Sequence, residues 1–200
     1  MLAATSNGIY KTTDGGNSWS KESPNSDNYV DLDYKPGNSS IVYASTSEFG
    51  TSSIYRSTDG GDSWCTLTGL LLGCSVHDVT GRRIQLAVSE DAPSVVYAVA
   101  ANSSSGLEGI YKSTNSGASF SSVFTGSDGS LLGYRCDATG ANEGQGWYDL
   151  CLAVDPNDAD IIYLGGVNTF KSADGGNSWS NVNRWTSGGS YGSCNTDVVH

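Results

Sequence analysis

The sequence predicts an all-β protein assembled from repeated four-stranded antiparallel blades. Three observations carry that expectation: an octapeptide written four times, glycine-rich turn signals between short β-rich runs, and a second apolar motif in register with the first. Thr12-Thr13-Asp14-Gly15-Gly16-Asn17-Ser18-Trp19 returns at Ser57 to Trp64, in weaker form at Ser113 to Phe120, and again at Ser172 to Trp179. From Asp14 to Asp59 is 45 residues, from Asp59 to Asn115 is 56, and from Asn115 to Asp174 is 59. That spacing fits one blade of a β-propeller with its loops.

Each octapeptide reads as a hairpin. Glycines reach positive φ without steric cost, and a short Asp side chain can bond neighbouring amides. A strand leads into each copy (Gly8 to Lys11, Ser53 to Arg56, Gly109 to Lys112, Thr169 to Lys171), and Trp19, Trp64, Phe120 or Trp179 starts the returning strand. The ring is expected to be buried over its own turn, contributing roughly 1.5–3 kcal/mol.

The second motif is Ile41-Val42-Tyr43, Val95-Val96-Tyr97 and Ile161-Ile162-Tyr163. Counting back from the tyrosines aligns Val30, Ile84 and Leu150, then Leu32, Leu86 and Leu152, then Tyr34, Val88 and Val154. The residues between them are small or polar, which is the period-two pattern of a strand. Residues 82 to 92 alone could pass for a helix, but repeats share a structure. Each blade then has an innermost strand, a second strand ending near the tyrosine, a third before the octapeptide and an outer fourth after it. The expected blades are 28–68, 82–125 and 147–183 within one domain spanning 1–200. Residues 1–20 supply the last three strands of another blade, with Leu2 in the tyrosine position, and 195–200 resemble the start of a further innermost strand.

The octapeptide closely resembles the Asp-box, or BNR repeat, of sialidases, sortilin-type receptors and xyloglucan-cleaving glycosidases. The resemblance runs from one end of the chain to the other, with Asn115 departing from the acid. It implies a propeller with the boxes at the blade rim and ligands near the axis at the opposite end. It gives Asp14, Asp59, Asn115 and Asp174 a structural role. Two readings of the terminal pieces stay open: they complete each other in a closed four-bladed ring, or the chain is a partial propeller of about four blades' worth. Propellers of this kind usually have six or more blades, which favours the partial one, and its open edges invite self-association.

Ten basic against 21 acidic residues give a net charge of −11. With no basic stripe, nucleic acid is disfavoured as a partner. No apolar run approaches the ~20 residues of a membrane span, so insertion is not expected. The Gly/Ser/Asn-rich texture and the resemblance imply an extracellular or cell-surface protein whose export signal lies outside this segment. Of the five cysteines, Cys65, Cys74, Cys136 and Cys194 are candidates for two disulfides of open connectivity, and Cys151 reads as a small buried residue. No metal site or cofactor is expected. Calcium at the acidic turn 155–160 is the lesser alternative to a solvated turn.

The blade-to-blade insertions, at 68–82, 125–147 and 183–196, all join an outer strand to the next inner one, so they could wall the mouth of a central channel. Tyr29, Arg83 and Asp149 align at that entrance, with Trp147 and Tyr148 just before Asp149. Aromatic rings beside acid and guanidinium groups suit a glycan, rings stacking on sugars while polar groups fix hydroxyls. The competing reading is structural: an Arg83–Asp149 ion pair between blades and Trp147 capping the core. A glycosidase needs two carboxyl groups across the scissile bond. Asp31, Asp78, Asp149 and Asp197 lie near inner-strand starts without a pair being fixed. The five arginines do not match the sialidase arginine motif. The expected function is therefore a glycan- or protein-binding extracellular module, with an Asp-box glycoside hydrolase or a self-assembling structural protein as alternatives.

Overall fold

The computed structural model describes residues 1–49, 51–66, 79, 81–126, 131–135, 144–183 and 185. These residues form β-strands in four antiparallel sheets, with no helix among them. The first sheet has three strands, β1 (Leu2–Thr5), β2 (Gly8–Lys11) and β3 (Ser20–Lys21). The second has four: β4 (Tyr29–Tyr34), β5 (Val42–Thr46), β6 (Ile54–Ser57) and β7 (Cys65–Thr66). The third comprises β8 (Arg83–Val88), β9 (Val96–Ala101), β10 (Leu107–Ser113) and β11 (Ser121–Thr125). The fourth comprises β12 (Cys151–Asp155), β13 (Asp158–Gly165), β14 (Thr169–Ser172) and β15 (Ser180–Asn183). In each sheet the strands neighbour one another in chain order, a meander.

The sheets stack as successive blades, β1 against β4, β4 against β8 and β8 against β12. The result is a partial propeller. Its apolar cores lie at the blade interfaces. Leu2 and Ile9 meet Val42, Tyr55 and Trp64; Tyr43 and Ile54 meet Ile84, Leu86, Val96 and Phe120; Val99 and Ile110 meet Leu150, Leu164 and Phe170. The second strand of a blade is sandwiched between neighbours, so β5 and β9 are buried along their whole length and are built from small and β-branched residues that let sheets approach.

Register confirms the alignment of repeats, because Leu2 pairs with Lys11 as Tyr43 does with Arg56, Tyr97 with Lys112 and Tyr163 with Lys171. The tyrosine does not end the second strand, however. Tyr43 and Tyr97 stand one residue after the strand starts, because pairing continues through Ala44 to Thr46 and through Ala98 to Ala101.

The four octapeptides fold alike. Thr12 Oγ1 accepts from the Gly16 amide at 2.9 Å and donates to Asp14 Oδ1 at 2.8 Å; Ser57, Ser113 and Ser172 repeat this toward Asp59, Asn115 and Asp174. The acid then accepts from the serine four residues on, at Ser18, Ser63 and Ser178, and Asn115 Oδ1 does the same with the Ser119 amide. These bonds hold the Asp14 carboxyl far below its ordinary range. Burial alone would raise Asp59, but the bonds from Ser63 and Ser57 prevail and bring it to about 2. The left-handed position is Gly15, Gly60 and Gly175 in three turns, and Ser116 takes it with φ 59° in the other.

The aromatic lids differ in burial. Trp64 and Phe120 are 8% exposed and Trp179 is half-buried, but Trp19 is 43% exposed. Its indole bonds the Gly16 carbonyl as Trp64 bonds Gly61. The difference is packing, since no described blade precedes β1–β3. Cys151, expected to be buried, is exposed and free, because β12 opens the last described blade and nothing described covers that face. Cys65 is disulfide-bonded, while Cys74, Cys136 and Cys194 lie outside the described residues.

Candidate functional site

Arg83 begins β8, and its guanidinium crosses to the chain entering the next inner strand. Nη1 donates to the carbonyls of Trp147 at 3.1 Å and Tyr148 at 2.7 Å, and Nη2 donates to that of Leu150 at 3.3 Å. The same segment is closed by bonds from the Tyr148 and Asp149 amides to the Gln145 carbonyl, and by one from Gly146 to Ser105. With the backbone fastened, the Trp147 and Tyr148 rings are left at the surface, 52% and 69% exposed. Their centroids are 5.4 Å apart and their planes are tilted by 48°.

Arg83 and Asp149 attract each other without closing an ion pair; the ion pairs among the described residues are Lys11–Asp62 and Lys112–Asp160. Burial lowers the Arg83 pKa against the opposing charges of Asp149 and Asp31, and it raises Asp149 against that of Arg83. Three buried polar atoms here, Arg83 Nε, Gln85 Oε1 and Asp149 Oδ1, have no hydrogen-bond partner among the described residues. Such atoms carry a desolvation cost until a partner reaches them.

Tyr29 stands apart from the exposed rings. It is 2% exposed, packs on Tyr55 with centroids 5.0 Å apart, and donates to Asn25 Oδ1 at 2.7 Å. Burial, reinforced by Tyr55, pushes its phenol well above the usual range. Asp31 and Asp33 share one face of β4, since strand side chains alternate. Asp31 Oδ2 accepts from the Leu86 amide at 2.7 Å, yet burial still raises its pKa. Asp33 is raised to about 7 by burial and then by the Asp31 charge. Asp33 was not among the residues expected at the site. The signal that could have found it is two acids at i and i+2 on an inner strand.

A cavity of about 580 Å³ opens at the other end of the inner strands, where Tyr34, Val88 and Val154 meet Lys35, Glu90 and Pro156. This is the end that carries the octapeptide turns, which bond the inner hairpins through Gly60 to Ser40, Ser116 to Ser94 and Gly175 to Asp160. It is therefore opposite the Arg83 entrance. The loops expected to wall that entrance lie mostly outside the described residues, as do Asp78 and Asp197. Among the described residues no group of His, Cys, Asp and Glu is arranged to hold a metal ion. In the turn 155–160, Asp155 and Asp158 accept from nearby amides and Asp160 pairs with Lys112.

No family model matches the sequence, and no curated protein matches it. Solved structures do. An ancestral GH74 enzyme superposes with a TM-score of 0.61 at 19% identity, over 90% of this chain and 22% of that one. The GH74 xyloglucanase from Xanthomonas campestris gives 0.57 at 16% identity, over 91% of this chain and 27% of its own. YCF48 from Cyanidioschyzon merolae gives 0.51 at 13% identity, over 78% and 40%. At these identities the likeness establishes the β-propeller fold, and the chain spans about a quarter of the length of the GH74 structures.

Proposed function

We propose that this chain is a glycan-binding part of an extracellular Asp-box propeller. The observation that carries the reading is the exposed Trp147–Tyr148 pair, held in place by Arg83 through backbone carbonyls. Rings on a fixed backbone offer stacking area to sugar faces with little entropy to lose. The four turns resemble the Asp-box, and a disulfide at Cys65 fits an oxidising compartment.

A glycosidase is the second reading, favoured by one observation: Asp33, raised to about 7 beside Asp31, holds a proton near neutral pH as a general acid must. Titration calorimetry with β-1,4-glucan and xyloglucan oligosaccharides tests the first reading. Binding is expected, with Trp147→Ala and Tyr148→Ala each weakening it about tenfold or more. Absence of binding to any glycan tried, or binding indifferent to both substitutions, overturns it. Release of reducing ends that Asp33→Asn abolishes would establish the enzyme instead.

A further inference from the structure

The cavity at the octapeptide end lies away from the Arg83 entrance, and its lining is chemically uneven. Three consecutive blades build it, each through the turn that joins its innermost strand to its second: Tyr34 to Ser39, then Val88 and Glu90, then Val154 and Pro156. The octapeptides hold those turns in place, because their backbones bond them at Ser40, Ser94 and Asp160. The walls therefore belong to the packed joints between neighbouring blades. Tyr34, Pro36, Val88, Val154 and Pro156 give them an apolar surface, and about 580 Å³ is an ordinary size for a ligand site.

Two charges stand in that lining, and they are not equivalent. The Lys35 ammonium is engaged, donating to Ser116 Oγ across a blade joint at 2.6 Å. Glu90 is exposed, and its carboxylate meets no hydrogen-bond donor or cation among the described residues. Nearby cations are engaged like Lys35: Arg56 Nε donates to the Ser116 carbonyl at 2.8 Å, and Lys112 pairs with Asp160 at 2.9 Å. Asp59 and Asp174, ionised in their turns, stand at the same end. The uncommitted charge around the cavity is thus negative, and it draws cations. We infer that this cavity receives a lysine or arginine side chain of a partner peptide, its stem along Tyr34, Val88 and Val154 and its cationic head at Glu90. Long basic side chains join an apolar stem to a charged tip, the two chemistries that this lining offers together. Size specifies a peptide over a free amine, since about 580 Å³ takes the flanking backbone as well as one such side chain. An anionic ligand would be repelled by Glu90, and a wholly apolar one would bury its charge unpaired.

Chemical-shift titration of the isotope-labelled protein tests this, with no glycan present. The probe is a terminally blocked peptide whose one charge is a central lysine, compared with its Nε-acetylated form. Saturable shifts are expected at Lys35, Gly37, Val88, Glu90 and Val154, with acetylation weakening binding about fivefold. Glu90→Gln should weaken it by a similar factor, whereas Asp91→Asn, outside the cavity lining, should change it little. Both acids are exposed, so neither replacement threatens folding. Tyr34→Ala should weaken both peptides alike, because it removes contact with the stem and leaves the charge in place. No saturable shift at the cavity, equal affinity for the acetylated peptide, or equal effects of Glu90→Gln and Asp91→Asn overturns the inference. None of these outcomes bears on the glycan reading of the opposite end.

Discussion

Asp31 on β4 accepts a hydrogen bond from the backbone amide of Leu86 on β8, 2.7 Å away, so an inner strand of one blade is tied to the inner strand of the next by a side chain rather than by a strand ladder. Asp31→Ala would leave the amide of buried Leu86 without its acceptor. A loss of roughly 1–3 kcal/mol is expected in denaturant melts, with Asp31→Asn losing less because its amide oxygen can still accept. Equal losses for the two variants would mean the bond contributes nothing.

Asp33 sets a pH dependence of opposite sign to the turns. Its folded pKa of about 7 lies above the unfolded carboxyl range, so the stability it contributes is full below pH ~4 and lost as pH rises through 7. Asp33→Asn is expected to remove that loss, and at pH 8 to exceed the parent by roughly 1–3 kcal/mol. The turn acids have lowered pKa values, Asp59 and Asp174 at about 2, so their contribution is present above pH ~4 and lost as pH falls through 2. Melting temperature should therefore peak at mildly acidic pH. A profile flat from pH 4 to 8 in the parent would show that Asp33 is ionised throughout.

Trp64 and Trp19 occupy the same place in equivalent turns but differ in burial, 8% against 43% exposed. Trp64→Ala should cost about 3–5 kcal/mol, as a core aromatic does. Trp19→Ala should cost about 1 kcal/mol or less. Chemical denaturation of both variants at low protein concentration checks the difference, and equal costs would assign the energy to the turn alone.

The blade pattern was legible because repeats constrain one another. The segment around 82 to 92 is ambiguous alone, yet its registry with Leu150 to Val154 marks a strand, and β8 runs Arg83–Val88. The exposure of Trp19 was not legible, because its octapeptide matches that of Trp64 and the difference lies in which blade packs upstream. Cys151 went astray for the same reason. The convergence of Arg83, Trp147, Tyr148 and Asp149 at one entrance could be read from registry. The bonds that Arg83 makes could not, since it grips carbonyls 64 to 67 residues away and backbone carbonyls leave no mark on a sequence.

Among the described residues the sheets pack on one another in chain order, so the blades behave as a short one-dimensional stack, in which a blade packed on both sides resists local opening more than one packed on a single side. Among the described residues the β1–β3 sheet has three strands and one joint, whereas the β8–β11 sheet packs on a neighbouring blade at each side. Amide protons of β9 should thus be the last to exchange and those of β1 among the first. Any ligand that bridges the Arg83 entrance would act as a rivet, slowing exchange on both sides of the joint it spans.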